Sequence, residues 1–293
     1  MCGIVGLFIK DPALEPELGK LTAGMLETMT GRGPDSAGFA VYGEGEAGRT
    51  KVTVRGTSPL AIEERALDSG FPSAKTAIYD THAVISVPDD EVEALIAWLE
   101  LTPDAEIVGR GSRMEIFKEV GLPADVAARF SLPTMSGTHA IGHTRMATES
   151  AVTTDGAHPY STGQDQCLVH NGSLSNHNNL RRELRLEGMT FETENDTEVA
   201  AGYLTWRMRK GLSLGDALEV GLEDLDGFYT FVVGTENGFG VLRDGIACKP
   251  AVMAETDQYV AFGSEYRVLA DLPGIGQARI WEPEPATVYF WER

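Results

Sequence analysis

Cys2 is the residue of this chain best equipped to do chemistry on its own. The sequence opens Met1-Cys2-Gly3-Ile4-Val5-Gly6, and a small second side chain favours removal of the initiator Met. An N-terminal cysteine is nucleophile and base in one residue, because the thiolate attacks while the α-amine shuttles its proton. The amine titrates at about 7.7–8.0 and the thiol near 8.5, so both sit close to working pH. If that thiol cleaves the carboxamide of a free amino acid, three needs follow. The tetrahedral oxyanion needs preorganised donors. The substrate carboxylate needs a cation, best a forked guanidinium. The substrate ammonium needs a fixed carboxylate.

One stretch answers each need. Gly142-His143-Thr144-Arg145-Met146-Ala147-Thr148 holds an arginine. His170-Asn171-Gly172-Ser173 ends a strand with a side-chain amide and a glycine N–H. Asn195-Asp196-Thr197-Glu198 opens a helix with a carboxylate. Each also has a plainer reading. Arg145 could sit at a strand edge on the surface, Asn171-Gly172 could be a type I′ turn, and Asp196 or Asn195 could simply cap a helix. His139 and His143 are four apart, but the helix and glutamate of a zinc protease are missing, so no metal is expected. Cys167, in an apolar run, and Cys248 read as small structural residues, and three cysteines without a CxxC pair argue against a disulfide framework.

The elements that must position these residues are legible in outline. Residues 3–10 form an apolar strand, and 18–29 carry Leu18, Leu21, Met25, Leu26 and Met29 at helical spacing. Residues 37–42 and 51–55 read as two strands of a hairpin. Between them Gly43-Glu44-Gly45-Glu46-Ala47-Gly48 matches GxGxxG, but no helix follows and two glutamates would face a phosphate, so it is a turn. Residues 57–137 read as a separate βαβ-type insertion, with a helix over 89–101 and a further helix over 114–120. From 138 onward strands alternate with helices at 199–210 and 214–222. Hairpin-like strands with grouped helices predict an α+β fold.

Composition narrows the class. The 293 residues are 42% hydrophobic, and no apolar run reaches the ~18 residues that span a membrane. No basic n-region precedes a hydrophobic segment, which points to the cytoplasm. A net charge of −20 repels phosphate backbones and speaks against nucleic acid as a partner.

The motifs Cys2-Gly3-Ile4-Val5-Gly6, Arg32-Gly33-Pro34-Asp35-Ser36, His143-Thr144-Arg145, His170-Asn171-Gly172 and Asp196-Thr197-Glu198 stand in the order seen in class II glutamine amidotransferases, and Arg243-Asp244-Gly245 and Gly263-Ser264-Glu265 fit the same pattern. The chain thus resembles these N-terminal-nucleophile hydrolases over roughly 2–56 and 138–270. The resemblance implies a four-layer α/β/β/α sandwich of two antiparallel sheets in one domain over 2–293, in which the insertion at 57–137 is a departure from the minimal family domain. It implies Cys2 as nucleophile, Asn171 and Gly172 as oxyanion hole, Arg145 on the glutamine carboxylate and Asp196 on its ammonium. Thr148 and His158 would line the pocket, and Arg32, Gly33 and Asp35 would buttress the N-terminus.

The pattern departs from the phosphosugar and phosphoribosyl members at Met146 and at Glu149-Ser150. It has no room for the synthase module usually fused downstream. The stretch from Gly142 to Ser150 looks most like the stand-alone amidotransferase subunits of split glutamate synthases, N-methylglutamate synthase among them. That resemblance implies glutamine as substrate, no cofactor in this chain, and a separate FMN-containing synthase subunit as ammonia acceptor. The competing expectation is a catalytically idle subunit that binds glutamine or docks the synthase.

Overall fold

The computed structural model describes residues 2–68, 70–147 and 152–293. In chain order the strands are β1 (Gly3–Ile9), β2 (Ser36–Tyr42), β3 (Arg49–Arg55), β4 (Lys75–Tyr79), β5 (His82–Pro88), β6 (Glu106–Gly111), β7 (Met114–Val120), β8 (His139–Arg145), β9 (Tyr160–Gly163), β10 (Gln166–Leu174), β11 (Gly227–Gly234), β12 (Gly238–Arg243), β13 (Val252–Glu255), β14 (Tyr259–Gly263), β15 (Arg279–Trp281) and β16 (Thr287–Glu292). The helices are α1 (Leu18–Thr28), α2 (Pro59–Asp68), α3 (Val92–Glu100), α4 (Pro123–Arg129), α5 (His177–Leu186), α6 (Asp196–Arg209) and α7 (Leu214–Asp224).

Two antiparallel sheets face each other. One runs β15-β13-β14-β1-β8-β2-β7 and the other β16-β12-β11-β10-β9. The period-2 alternation of each strand sorts its side chains between layers. In β1, Val5, Leu7 and Ile9 pack with Leu18, Met25 and Leu26 of α1. Ile4 and Phe8 point the other way, into a core shared with Val169, Val232 and Phe239 of the second sheet. A strand covered on both faces must be apolar at every position, which explains the unbroken run at the N-terminus. On the far side of the second sheet, Leu168 and Phe231 pack against Leu180 and Leu184 of α5, Leu204 of α6 and Leu218 of α7. The order helix, sheet, sheet, helix is the α/β/β/α sandwich expected from the motifs. Among the described residues no helix is long and apolar enough to cross a membrane.

Three readings of the sequence are corrected here. The strands at 37–42 and 51–55 are not a hairpin. β2 pairs with β8 and β7, whereas β3 pairs with β5 and β6 in a third sheet of order β4-β5-β3-β6. The glycine-rich segment between them is a crossing from one sheet to another. The residues that form this third sheet and its helices therefore run from Arg49 to Gly111 rather than over 57–137. Its strand-helix-strand-strand-helix-strand order is a split βαβ with every pair antiparallel. Val52, Val54, Ile85 and Val87 bury one face of it under Ile62 of α2 and Leu95 and Leu99 of α3. Residues 114–120 are the edge strand β7, not a helix, because Met114 and Ile116 face the inter-sheet core while Phe117 joins the opposite one. The return from the third sheet is fixed by the buried Asp165, whose carboxylate accepts the backbone N–H groups of Ser112, Arg113 and Met114 at 2.7–2.9 Å.

Candidate active site

β1 begins beside Cys2, and the strands on either side of it pin that end. Gly3 pairs with Thr144 of β8, and an added Cβ at Gly3 would lie 2.8 Å from Thr144 Oγ1. On the other side Ile4 N donates to Ser264 Oγ at 2.9 Å, and Ser264 N donates to Ile4 O at 3.0 Å. Two side chains then converge on the carbonyl of Cys2. Arg32 Nε donates to it at 2.9 Å, and Asn171 Nδ2 at 3.2 Å. A carbonyl only accepts, so the Asn171 amide must turn its nitrogen toward Cys2. That nitrogen carries two hydrogens, and one is committed to the Cys2 carbonyl.

Strand alternation explains how Asn171 reaches the other sheet. Cys167 and Val169 of β10 face the inter-sheet core, so Asn171 does too, while His170 points to the helix layer. The type I′ turn reading is excluded, because Asn171 and Gly172 lie within β10, paired with Thr230 and Tyr229 of β11. Gly172 has φ +144°, and a Cβ there would sit 2.0 Å from Phe228 O. Only glycine fits this position.

Arg32 is buried, and its Nη1 donates to Glu265 Oε1 at 3.1 Å. The turn after it is held to the end of β8. A Cβ on Gly33 would lie 2.3 Å from the Thr144 carbonyl carbon, so the turn lies flat on the strand that carries Arg145. Asp35 fixes the next residues, its N donating to Arg145 O at 3.1 Å and its carboxylate accepting Ala147 N at 2.8 Å. Arg145 ends β8 and is only 9% exposed, which removes the surface-arginine reading. Its guanidinium lies against the 153–157 turn, where a Cβ on Gly156 would be 2.8 Å from Nη1.

Asp196 is not the helix cap. Asn195 is, its side chain accepting from Thr197 N at 2.9 Å. Asp196 is the first residue of α6, and its carboxylate accepts Leu174 N at 2.9 Å, joining the helix start to the end of β10. Burial works against its charge, but the His170 imidazole 3.6 Å away and the Leu174 N–H outweigh it and hold the carboxyl down at about 2. It is a fixed anion at any working pH.

His158, buried, approaches the start of α6 through Thr197, with Nε2 2.7 Å from Thr197 Oγ1, and its ring stacks on His143. His139 and His143 do share one face of β8. His139 has Thr138 and Thr235 on its two ring nitrogens, and among the described residues no group of three or more His, Cys, Asp or Glu is arranged to hold a metal. Thr148, expected in the pocket, lies outside the described residues, as does Met1. Ser264, Glu265 and Thr197 stand within the motifs, but the motifs alone give them no role. Their contacts span 260, 233 and 39 positions of chain, which local patterns do not carry.

A family profile described as a glutamine amidotransferase domain matches residues 143–271. The chain is 63% identical over 299 residues to the "Glutamine amidotransferase-like protein GlxB" of Rhizobium meliloti (strain 1021), covering 100% of this chain and 98% of that one. It is 33% identical over 309 residues to a "Putative glutamine amidotransferase" of Methanothermobacter thermautotrophicus, covering 99% of each. Among solved structures, the glutamine phosphoribosylpyrophosphate amidotransferase of B. subtilis superposes over 99% of this chain with a TM-score of 0.64 at 20% identity. This chain spans about half of that one, 47% of its length, and the likeness is one of fold.

Proposed function

The chain belongs to the class II glutamine amidotransferases, and on that premise we propose that it hydrolyses glutamine to glutamate and ammonia through a γ-glutamyl thioester on Cys2. The observation that carries this reading is the convergence of Arg32 and Asn171 on the carbonyl of Cys2. It couples the nucleophile's backbone directly to an oxyanion donor.

With Met1 removed, the Cys2 amine takes the thiol proton and the sulfur attacks the glutamine Cδ, forming the C–S bond. The carbonyl π electrons move onto oxygen, where the second Asn171 N–H and the Gly172 N–H receive them. Collapse breaks the C–N bond, and the Cys2 ammonium gives its proton to the departing ammonia. Water, deprotonated by the same amine, attacks the thioester and releases glutamate and the free thiol. Arg145 holds the glutamine α-carboxylate and Asp196 its α-ammonium, which together select a free amino acid over a peptide amide. Arg32, Gly33 and Asp35 keep the N-terminus and Arg145 in register.

The ammonia acceptor in this reading is a separate FMN-bearing synthase subunit of the glutamate-synthase kind, with N-methylglutamate synthase as the more specific version, in the cytoplasm. It is supported by the pattern from Gly142 to Ser150. Two experiments test the proposal. Purified protein should release glutamate from glutamine and a Cys2→Ala variant should not. Wild-type protein that binds glutamine without releasing glutamate would instead identify an idle subunit. A tagged pull-down from the native cell should bring down a yellow partner with flavin absorbance, and a colourless partner would refute the synthase assignment.

A further inference from the structure

A buried cluster behind Asp196 has no part in the steps above. Thr197 Oγ1 lies 2.7 Å from His158 Nε2, 3.0 Å from His170 Nδ1 and 3.5 Å from Asp196 Oδ1. His143 completes the group, its ring 4.0 Å from that of His158 and its Nε2 3.1 Å from the His170 carbonyl. The other ring nitrogens, His143 Nδ1, His158 Nδ1 and His170 Nε2, are buried without a hydrogen-bond partner among the described residues.

These contacts admit few proton arrangements. A carbonyl accepts, so His143 carries its proton on Nε2. A buried N–H without an acceptor is rarer and costlier than a bare lone pair. The arrangement that leaves no such N–H puts the proton of His158 on Nε2 and that of His170 on Nδ1. Both then donate to Thr197 Oγ1 and fill its two lone pairs. The hydroxyl hydrogen is left with one acceptor in reach, Asp196 Oδ1. The second Asp196 oxygen already receives Leu174 N.

We propose that Thr197 is a positioning residue for glutamine binding, its hydroxyl collecting His158 and His170 and directing its own hydrogen to Asp196 so that this carboxylate faces the substrate ammonium. The proposal rests on the reading that Asp196 binds that ammonium. Thr197 does not touch the reacting atoms. Its backbone N–H is capped by Asn195, so a change of side chain leaves the helix start in place.

The test compares Thr197→Val, which keeps the branched shape, Thr197→Ala as a second hydroxyl-free variant should Val not fold, and Thr197→Ser, which restores the hydroxyl. Without the hydroxyl, the KM for glutamine should rise about tenfold or more while kcat stays within about threefold, and Ser should recover the wild-type KM to within about twofold. An unchanged KM without the hydroxyl, or a Ser variant as impaired as Val, overturns the proposal. Ring 15N spectra of histidine-labelled protein give a readout independent of turnover. His158 and His170 should each show a single tautomer in the wild type and lose it without the hydroxyl, and unchanged ring shifts would also overturn the proposal. Wild-type protein that releases no glutamate would defeat the glutaminase reading alone, since the tautomer experiment still decides the role of Thr197.

Discussion

Lowering the pH from 7 to 5.5 should cost the folded state a large share of its stability. Four buried histidines are the reason. His82 packs between Phe117 and Phe130, with ring centroids 5.8 and 4.7 Å away. His139 stacks on Tyr42 at 3.9 Å, and His143 and His158 stack on each other. Burial, reinforced by nearby cationic groups, pulls His82, His139 and His143 down to about 3 and His158 well below the ordinary imidazole range. The unfolded chain binds protons near pH 6.5 and the folded chain does not. Stability is therefore complete above 6.5 and falls as pH drops toward the folded values. At pH 5.5 each histidine removes about 1.4 kcal/mol, and the four together roughly 5–6 kcal/mol. A domain is stable by about 5–15 kcal/mol, so the loss is a large share of the whole. Thermal melts followed by intrinsic fluorescence from pH 8 to 5 measure it, with urea titrations at pH 7 and 5.5 to give free energies. His139→Gln should remove about a quarter of the difference between the two pH values. A stability that stays level from pH 7 to 5.5 would refute the argument, as would a His139→Gln protein that loses as much as the wild type.

Four substitutions probe the site itself. Gly172→Ala places a Cβ 2.0 Å from Phe228 O at a φ of +144° and should lower glutamate release at least about 100-fold, with a lower melting temperature. Arg32→Lys keeps the charge but loses the fork that joins the Cys2 carbonyl to Glu265, and kcat should fall about tenfold or more in steady-state assays with KM little changed. Asp196→Asn should raise the KM for glutamine about 100-fold or more, because a charged partner is replaced by a neutral one. In Gly33→Ala the added methyl meets the Thr144 carbonyl carbon at 2.3 Å and should displace Arg145, again raising KM more than it lowers kcat.

The parts of this fold that the sequence reveals are those set by local pattern. The run from Gly3 to Ile9 announces a strand covered on both faces, and the helical spacing from Leu18 to Met25 announces α1. The motifs that hold Arg145, Asn171 and Asp196 are each short and contiguous, so their order can be seen without knowing how they meet. What depends on which sheet a strand joins cannot be read this way. β2 and β3 look like hairpin partners because both are short β-rich runs around a glycine turn, and nothing in either says that they part. The 114–120 run that forms β7 reads as a helix because a short apolar run fits both periods until its two neighbouring cores are known. The choice between Asn195 and Asp196 as cap turns on one hydrogen bond, and either residue type can make it. The histidine cluster draws on positions 143, 158 and 170 together with Thr197, and only the stacking of sheet on sheet and helix on sheet makes these one group.

The central claim is that Cys2, freed at the N-terminus, is the nucleophile. Intact-mass and peptide-mapping spectrometry of the purified protein, before and after incubation with a glutamine-like diazoketone, tests it most directly. The account predicts a chain lacking Met1 that gains one adduct, mapped to Cys2, and a Cys2→Ala protein that gains none. A chain that retains Met1 and stays unlabelled, or a Cys2→Ala protein labelled as fully as the wild type, would contradict it.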